Sequence, residues 1–138
     1  MTARAARLAR YRSARQRNLA RTSRRAFEAL VAQAVDDLPH FVRERMHNVA
    51  VLVEDWPPPG QDLLGLYEGI NHLQRGTNYH LATPDRITLF RRPILDEVGS
   101  NDPEAIRREV RNTVIHEVAH HFGFDDAELE RLEGRAGG

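Results

Sequence analysis

The feature that most narrows the fold is a stretch of about twenty residues with helix signals at both ends. Asp102 is placed to cap an N-terminus, Pro103 follows at the first helical position where its missing N–H has no partner to lose, and Glu104 complements the helix dipole. Ile106, Val110, Val114 and Val118 then recur every four residues as one apolar stripe. Gly123 offers the left-handed residue that stops a helix after Phe122. Such a helix is about 30 Å long, the width of a small domain. In a chain of 138 residues, the other elements must therefore pack around it.

Those elements can be read from periodicity. Phe27, Leu30, Val31, Ala34, Val35 and Leu38 keep the spacing of a helix that buries one face, and Pro39 ends it. Residues 48–54 are apolar at both parities, which predicts a strand covered on both faces. The run Trp56-Pro57-Pro58-Pro59-Gly60 imposes an extended connector, because proline fixes φ and donates no hydrogen bond. Short strands are expected at 64–67 and 86–90, with a polar loop at 71–84 that carries His72, Tyr79 and His80. Asp125-x-x-Glu128 reads as the capping box of a short terminal helix over 127–132, after which 133–138 should fray.

Charge is balanced overall, at 20 acidic and 20 basic side chains, but it is not evenly spread. Residues 1–25 hold nine arginines and no acid, so the remainder is formally −9. The expected organisation is an arginine-rich, flexible extension over 1–25 and one domain over 26–138. The arm reads first as a solvated extension. A non-specific nucleic-acid contact through residues 4–25 is the second reading and organellar targeting the third. It lacks the apolar region of an export signal, and no run approaches the ~18 apolar residues of a membrane span, so a cytoplasmic monomer without membrane contact is expected. The chain has no cysteine, which excludes disulfides, thiol catalysis, iron–sulfur clusters and thiolate-bound zinc. Any metal must be held by His, Asp or Glu.

The long helix carries such a set. It ends in His116-Glu117-Val118-Ala119-His120-His121-Phe122-Gly123-Phe124-Asp125-Asp126, which contains H-E-x-x-H. Residues four apart lie on one helical face about 6 Å apart along the axis, so His116 and His120 can present imidazoles to one ion. Glu117 lies about 100° round from His116, able to flank the ion without ligating it and to act as a general base. Zinc in such a site lowers the pKa of its water toward ~7 and polarises a carbonyl. A bend at Gly123 can bring Asp126 round as third ligand, in the order H-E-x-x-H-x-x-G-x-x-D. Asp125 is the alternative, although the capping box assigns it to the terminal helix. Chance produces H-E-x-x-H in about a few per cent of chains of this composition, and the downstream Gly and Asp reduce that to ~10⁻⁴. His121 points about 100° away from His120 and reads as a neighbour of the site rather than a ligand. His40, His47, His72 and His80 read as solvated or core-edge residues.

These residues resemble the bacterial zincin-like metallopeptidases, described as zinc-dependent proteases with a minimal metalloprotease-like domain. The resemblance covers roughly residues 27–132. It runs through Phe27-Glu28-x-Leu30-Val31, Asn48-Val49-Ala50-Val51-x-Val53-Glu54, Leu64-Gly65-Leu66-Tyr67-Glu68-Gly69, Pro84-Asp85-Arg86-Ile87-x-Leu89-Phe90-x-Arg92-Pro93-Ile94 and, most specifically, Thr113-x-Ile115-His116-Glu117-x-x-His120-His121-Phe122-Gly123-x-x-Asp126. It implies an α+β fold, with a small, mostly buried sheet packed on the zinc helix and an N-terminal helix. It also implies one zinc ion on His116, His120 and Asp126, with Glu117 as base. Only the arginine arm departs from the pattern.

The expected activity is hydrolysis of peptide bonds in a peptide or protein substrate. Tyr67, Tyr79 and His80 are candidates to stabilise the oxyanion, and the strand at 64–68 is the expected cradle for an extended substrate. Two alternatives use the same residues. A non-haem iron oxygenase also takes two His and a carboxylate, but it has no use for Glu117. A catalytically weak or inactive module would use zinc as a staple and the basic arm as a polyanion contact.

Overall fold

Ser23 begins the first helix. Its Oγ accepts a hydrogen bond from Ala26 N–H at 3.1 Å, and α1 (Arg24–Asp36) follows, so Arg24 and Arg25 are helical. The computed structural model describes residues 22–69, 84–125, 127, 128, 130 and 131. Residues 1–21, the loop residues His72, Tyr79 and His80, and the tail 133–138 lie outside this set. Helix α1 buries Phe27, Val31 and Ala34, as the spacing predicts. Pro39 both ends that run and starts another: its backbone is extended (φ −55°, ψ 145°) and α2 (His40–Arg45) grows from it, burying Val42. Sequence reading takes proline as a stop and misses this second use, a six-residue helix being too short to show a period.

Among the described residues three strands form one sheet in the order β1-β3-β2. Strand β1 (Val49–Glu54) runs parallel to β3 (Asp85–Phe90), with Val49 opposite Asp85 and Glu54 opposite Phe90. Strand β2 (Gly65–Glu68) runs antiparallel on the other side, with Gly65 opposite Leu89 and Glu68 opposite Arg86. The central strand is therefore β3, where Ile87 and Leu89 are fully buried. The expectation that the valine-rich β1 is covered on both faces is corrected here. Leu52 is 42% exposed and borders a groove of about 630 Å³ between β1 and α1. An apolar run specifies a strand but not whether it lies at the centre or the edge of its sheet.

Strand β3 passes directly into α3 (Arg91–Val98), which the sequence reading did not anticipate: Pro93, Ile94 and Leu95 are consecutive and give no helical stripe. Pro93 is tolerated because it lies in the first turn, where no intrahelical N–H is required. The long helix, α4 (Pro103–Phe122), has the predicted boundaries, with Asp102 accepting from Glu104 N–H at 3.1 Å. It packs against α1, α2, α3, β2 and β3. Its stripe of Ile106, Val110, Val114 and Val118 is fully buried in one core with Phe27, Val42, Ile87, Leu89 and Ile94. Each such side chain stabilises the fold by about 1.5–3 kcal/mol. The result is α+β, with helices α1 to α4 around a small mixed sheet among the described residues. Among the described residues no helix is long and apolar enough to cross a membrane.

Candidate active site

Helix α4 sorts its residues by side. While the apolar stripe faces the core, His116 and His120 lie exposed one turn apart, with Glu117 half-buried beside them. The helix stops at Gly123, which takes the left-handed conformation (φ 66°, ψ 48°) and donates its N–H to Ala119 O at 2.8 Å. Phe124 N–H reaches the same carbonyl at 3.2 Å, and the Phe124 ring is buried beside Phe41, with centroids 5.7 Å apart. The chain thus turns at Gly123 as the sequence predicts. Asp125 then enters the predicted capping box: its Oδ1 accepts Glu128 N–H at 2.7 Å, and its own N–H donates to Glu128 Oε1 at 3.3 Å. Asp126 lies outside the described residues. Among the described residues no three His, Asp or Glu side chains are grouped to hold a metal ion. The donor chemistry still fits a divalent cation in part, since two exposed imidazoles at i and i+4 lie beside a carboxylate with a protein partner of its own.

That partner is the edge strand. Phe90 N–H donates to Leu64 O at 2.9 Å, so in the antiparallel register Leu64, Leu66 and Glu68 pair with β3 while the backbones of Gly65 and Tyr67 face outward. Tyr67 N–H accordingly leaves the sheet and donates to Glu117 Oε2 at 3.3 Å. The close approach depends on Gly65. A Cβ there would lie 2.9 Å from Thr113 Cγ2, one helical turn before Glu117, and 3.3 Å from Thr88 O. Thr113 is held in place, because its hydroxyl donates to Glu109 O at 2.9 Å.

Between residues 62–65 and α4 lies an open cleft of about 430 Å³, walled by Asp62, Glu109, Asn112, His116 and Glu117 among others. Asp62, Glu109 and Asn112 belong to no motif, so sequence reasoning had no means to place them here. Their facing positions come only from the packing of β2 on α4.

Tyr67, an expected oxyanion stabiliser, is occupied differently. Its hydroxyl donates to Asp85 Oδ2 at 2.7 Å and its ring stacks on His121, with centroids 3.9 Å apart and planes at 18°. Asp85 received no role from the sequence. Tyr79 and His80, the other two candidates, are outside the described residues. His40 and His47 are exposed, as expected. His40 Nε2 lies 2.9 Å from Glu44 Oε1, and His47 Nδ1 lies 3.1 Å from Glu44 O.

Residues 46–136 match the family model described as zincin-like metallopeptidase. A conserved hypothetical protein from Thermo thermophilus is 28% identical, in a match that covers 82% of this chain and 99% of that one with a TM-score of 0.47. No curated protein matches the chain.

Proposed function

Because the chain belongs to the zincin-like metallopeptidase family, we propose that it hydrolyses peptide bonds, with one zinc ion held by His116, His120 and Asp126 and with Glu117 as the group that moves the proton. The observation that carries this reading is the placement of Glu117. It borders the cleft beside His116, and its Oε2 accepts the outward N–H of Tyr67 from β2. Zinc, when bound, supplies a Lewis acid for the scissile carbonyl and makes a nearby water more acidic. Glu117 takes the proton of the attacking water on its carboxylate and returns it to the leaving amine. Tyr67 N–H holds one carboxylate oxygen, which limits how far the carboxylate can turn beside the cleft. The outward backbone of Gly65 offers an edge with which an extended peptide can pair.

Peptide-library cleavage by zinc-loaded protein, against Glu117→Gln, tests the proposal. The variant keeps its fold and zinc and loses about 10²–10⁴-fold in hydrolysis. Equal cleavage by both proteins, or none by the wild type, removes the proposal, and zinc-dependent stability without cleavage then points to a staple.

A further inference from the structure

His121 is the one histidine of the helix terminus that the zinc reading does not use, yet it has well-defined contacts. It leaves α4 on the side of β2, where its ring lies 3.9 Å from that of Tyr67 and nearly parallel to it. Phe122 closes the edge of both rings, with centroids 4.9 Å from His121 and 6.0 Å from Tyr67. The residue after the strand makes room for the imidazole: a Cβ on Gly69 would come within 3.3 Å of His121 Cε1. At the far end of the same tyrosine, the hydroxyl is tied to Asp85 at 2.7 Å. Tyr67 is therefore fixed at three points, its phenol by β3, its ring by α4 and its N–H by Glu117. Two of the three are supplied by residues on α4 four apart in sequence, Glu117 and His121, which share a helical face.

We propose that His121 is a positioning residue, acting through Tyr67 to hold the outward edge of β2 and the Glu117 carboxylate in one fixed relation. The kinetic consequence rests on the peptidase reading above. A peptide paired with β2 inherits the strand's position, so a strand that slides relative to Glu117 presents the scissile carbonyl out of line with the group that must transfer the proton. His121 Nε2 also faces Asp85 Oδ2, but at 4.0 Å it is beyond hydrogen-bond reach, so the flat ring rather than a ring nitrogen makes the contact with Tyr67. Phenylalanine should therefore replace histidine here, whereas alanine or leucine should not.

The test uses the full chain with His121→Ala, His121→Phe and His121→Leu. Its first readout needs no substrate: amide hydrogen exchange at Tyr67. Exchange should quicken by about 2- to 10-fold in the Ala and Leu variants, as for the loss of one ring stack, and stay near wild type in the Phe variant. In the zinc-loaded protein, kcat on a cleaved peptide should fall by roughly 10- to 100-fold for Ala and Leu, with zinc affinity and KM within about threefold, and recover for Phe. His121 is 40% exposed, so the substitutions leave the core intact. Unchanged Tyr67 exchange in the Ala and Leu variants overturns the inference. So does a Phe variant as impaired as Ala, or a fall in zinc affinity that parallels kcat. If the wild type cleaves nothing while the exchange pattern holds, the peptidase reading fails and the positioning of Tyr67 by His121 stands.

Discussion

In the proposed zinc site two adjacent carboxylates, Asp125 and Asp126, are the candidates for the third position, and the hydrogen bonds of Asp125 set it apart. Asp125 is engaged with Glu128 in a reciprocal cap, with bonds of 2.7 and 3.3 Å, so taking it as ligand would leave a helix N-terminus uncapped. Asp125→Ala should cost about 0.5–2 kcal/mol in thermal unfolding and keep zinc. Asp126→Ala should weaken zinc by more than ~100-fold, beyond the usual effect of a residue that only supports a ligand, as measured by chelator competition. The reverse pattern would assign the ion to Asp125. The engagement of Asp125 was legible in the sequence because a capping box is local: two residues three positions apart fix which side chain meets which N–H. The same holds for His116, Glu117 and His120, where spacing along a helix becomes angle and distance directly. Tyr67 was legible only as a tyrosine near an edge strand. The partners of its hydroxyl and ring, Asp85 and His121, are 18 and 54 positions away in the chain, and no local rule links them.

Among the elements, the contact that places the edge strand is Gly65 against α4. Thr113 is β-branched, its hydroxyl is bonded to Glu109 O, and its Cγ2 would meet a Cβ on Gly65 at 2.9 Å. That methyl group cannot swing away without breaking the hydroxyl's bond. Gly65→Ala should therefore push β2 off the helix, destabilising the protein by about 1–3 kcal/mol in denaturant unfolding, and lower the proposed peptide hydrolysis more than the stability loss explains. Gly65→Ala with Thr113→Ser removes the clashing methyl and should recover most of both. If the single variant is neutral, β2 has other means of seating itself. The expected strand at 64–67 contains Gly65, but in the sequence a glycine needed for close approach looks the same as one that merely ends a strand. The edge position of β1 was hidden for a related reason. Its valines satisfy a buried strand, and only the order β1-β3-β2 exposes Leu52.

Across the whole molecule, the start of α1, the end of β1 and the start of α3 are tied by one guanidinium. Arg91, with a side chain 8% exposed, donates from Nε to Asp55 Oδ1 at 2.7 Å and from Nη1 to Thr22 O at 2.8 Å. The hydrogen bond from Arg91 holds the Asp55 carboxyl below its ordinary value of 3.8, against a smaller opposing effect of burial. A carboxyl with a depressed folded pKa contributes stability that is fully present above the ordinary value and is lost as pH falls from there through the folded value. Asp55→Asn should therefore melt below wild type at about pH 6, and the gap should narrow as pH drops below about 3.8. A gap that stays constant on acidification would assign the difference to packing rather than charge. The sequence by itself determined α4, its cap and stop, the two histidines and glutamate on one side, and the turn at Gly123, because each depends on residues within a turn or two of one another. Only the tertiary structure decided which strand is central, that Glu117 meets Tyr67, that His121 stacks there, and that Arg91 joins three distant segments. Those contacts arise between pieces of chain whose separation in sequence carries no information about their distance in space.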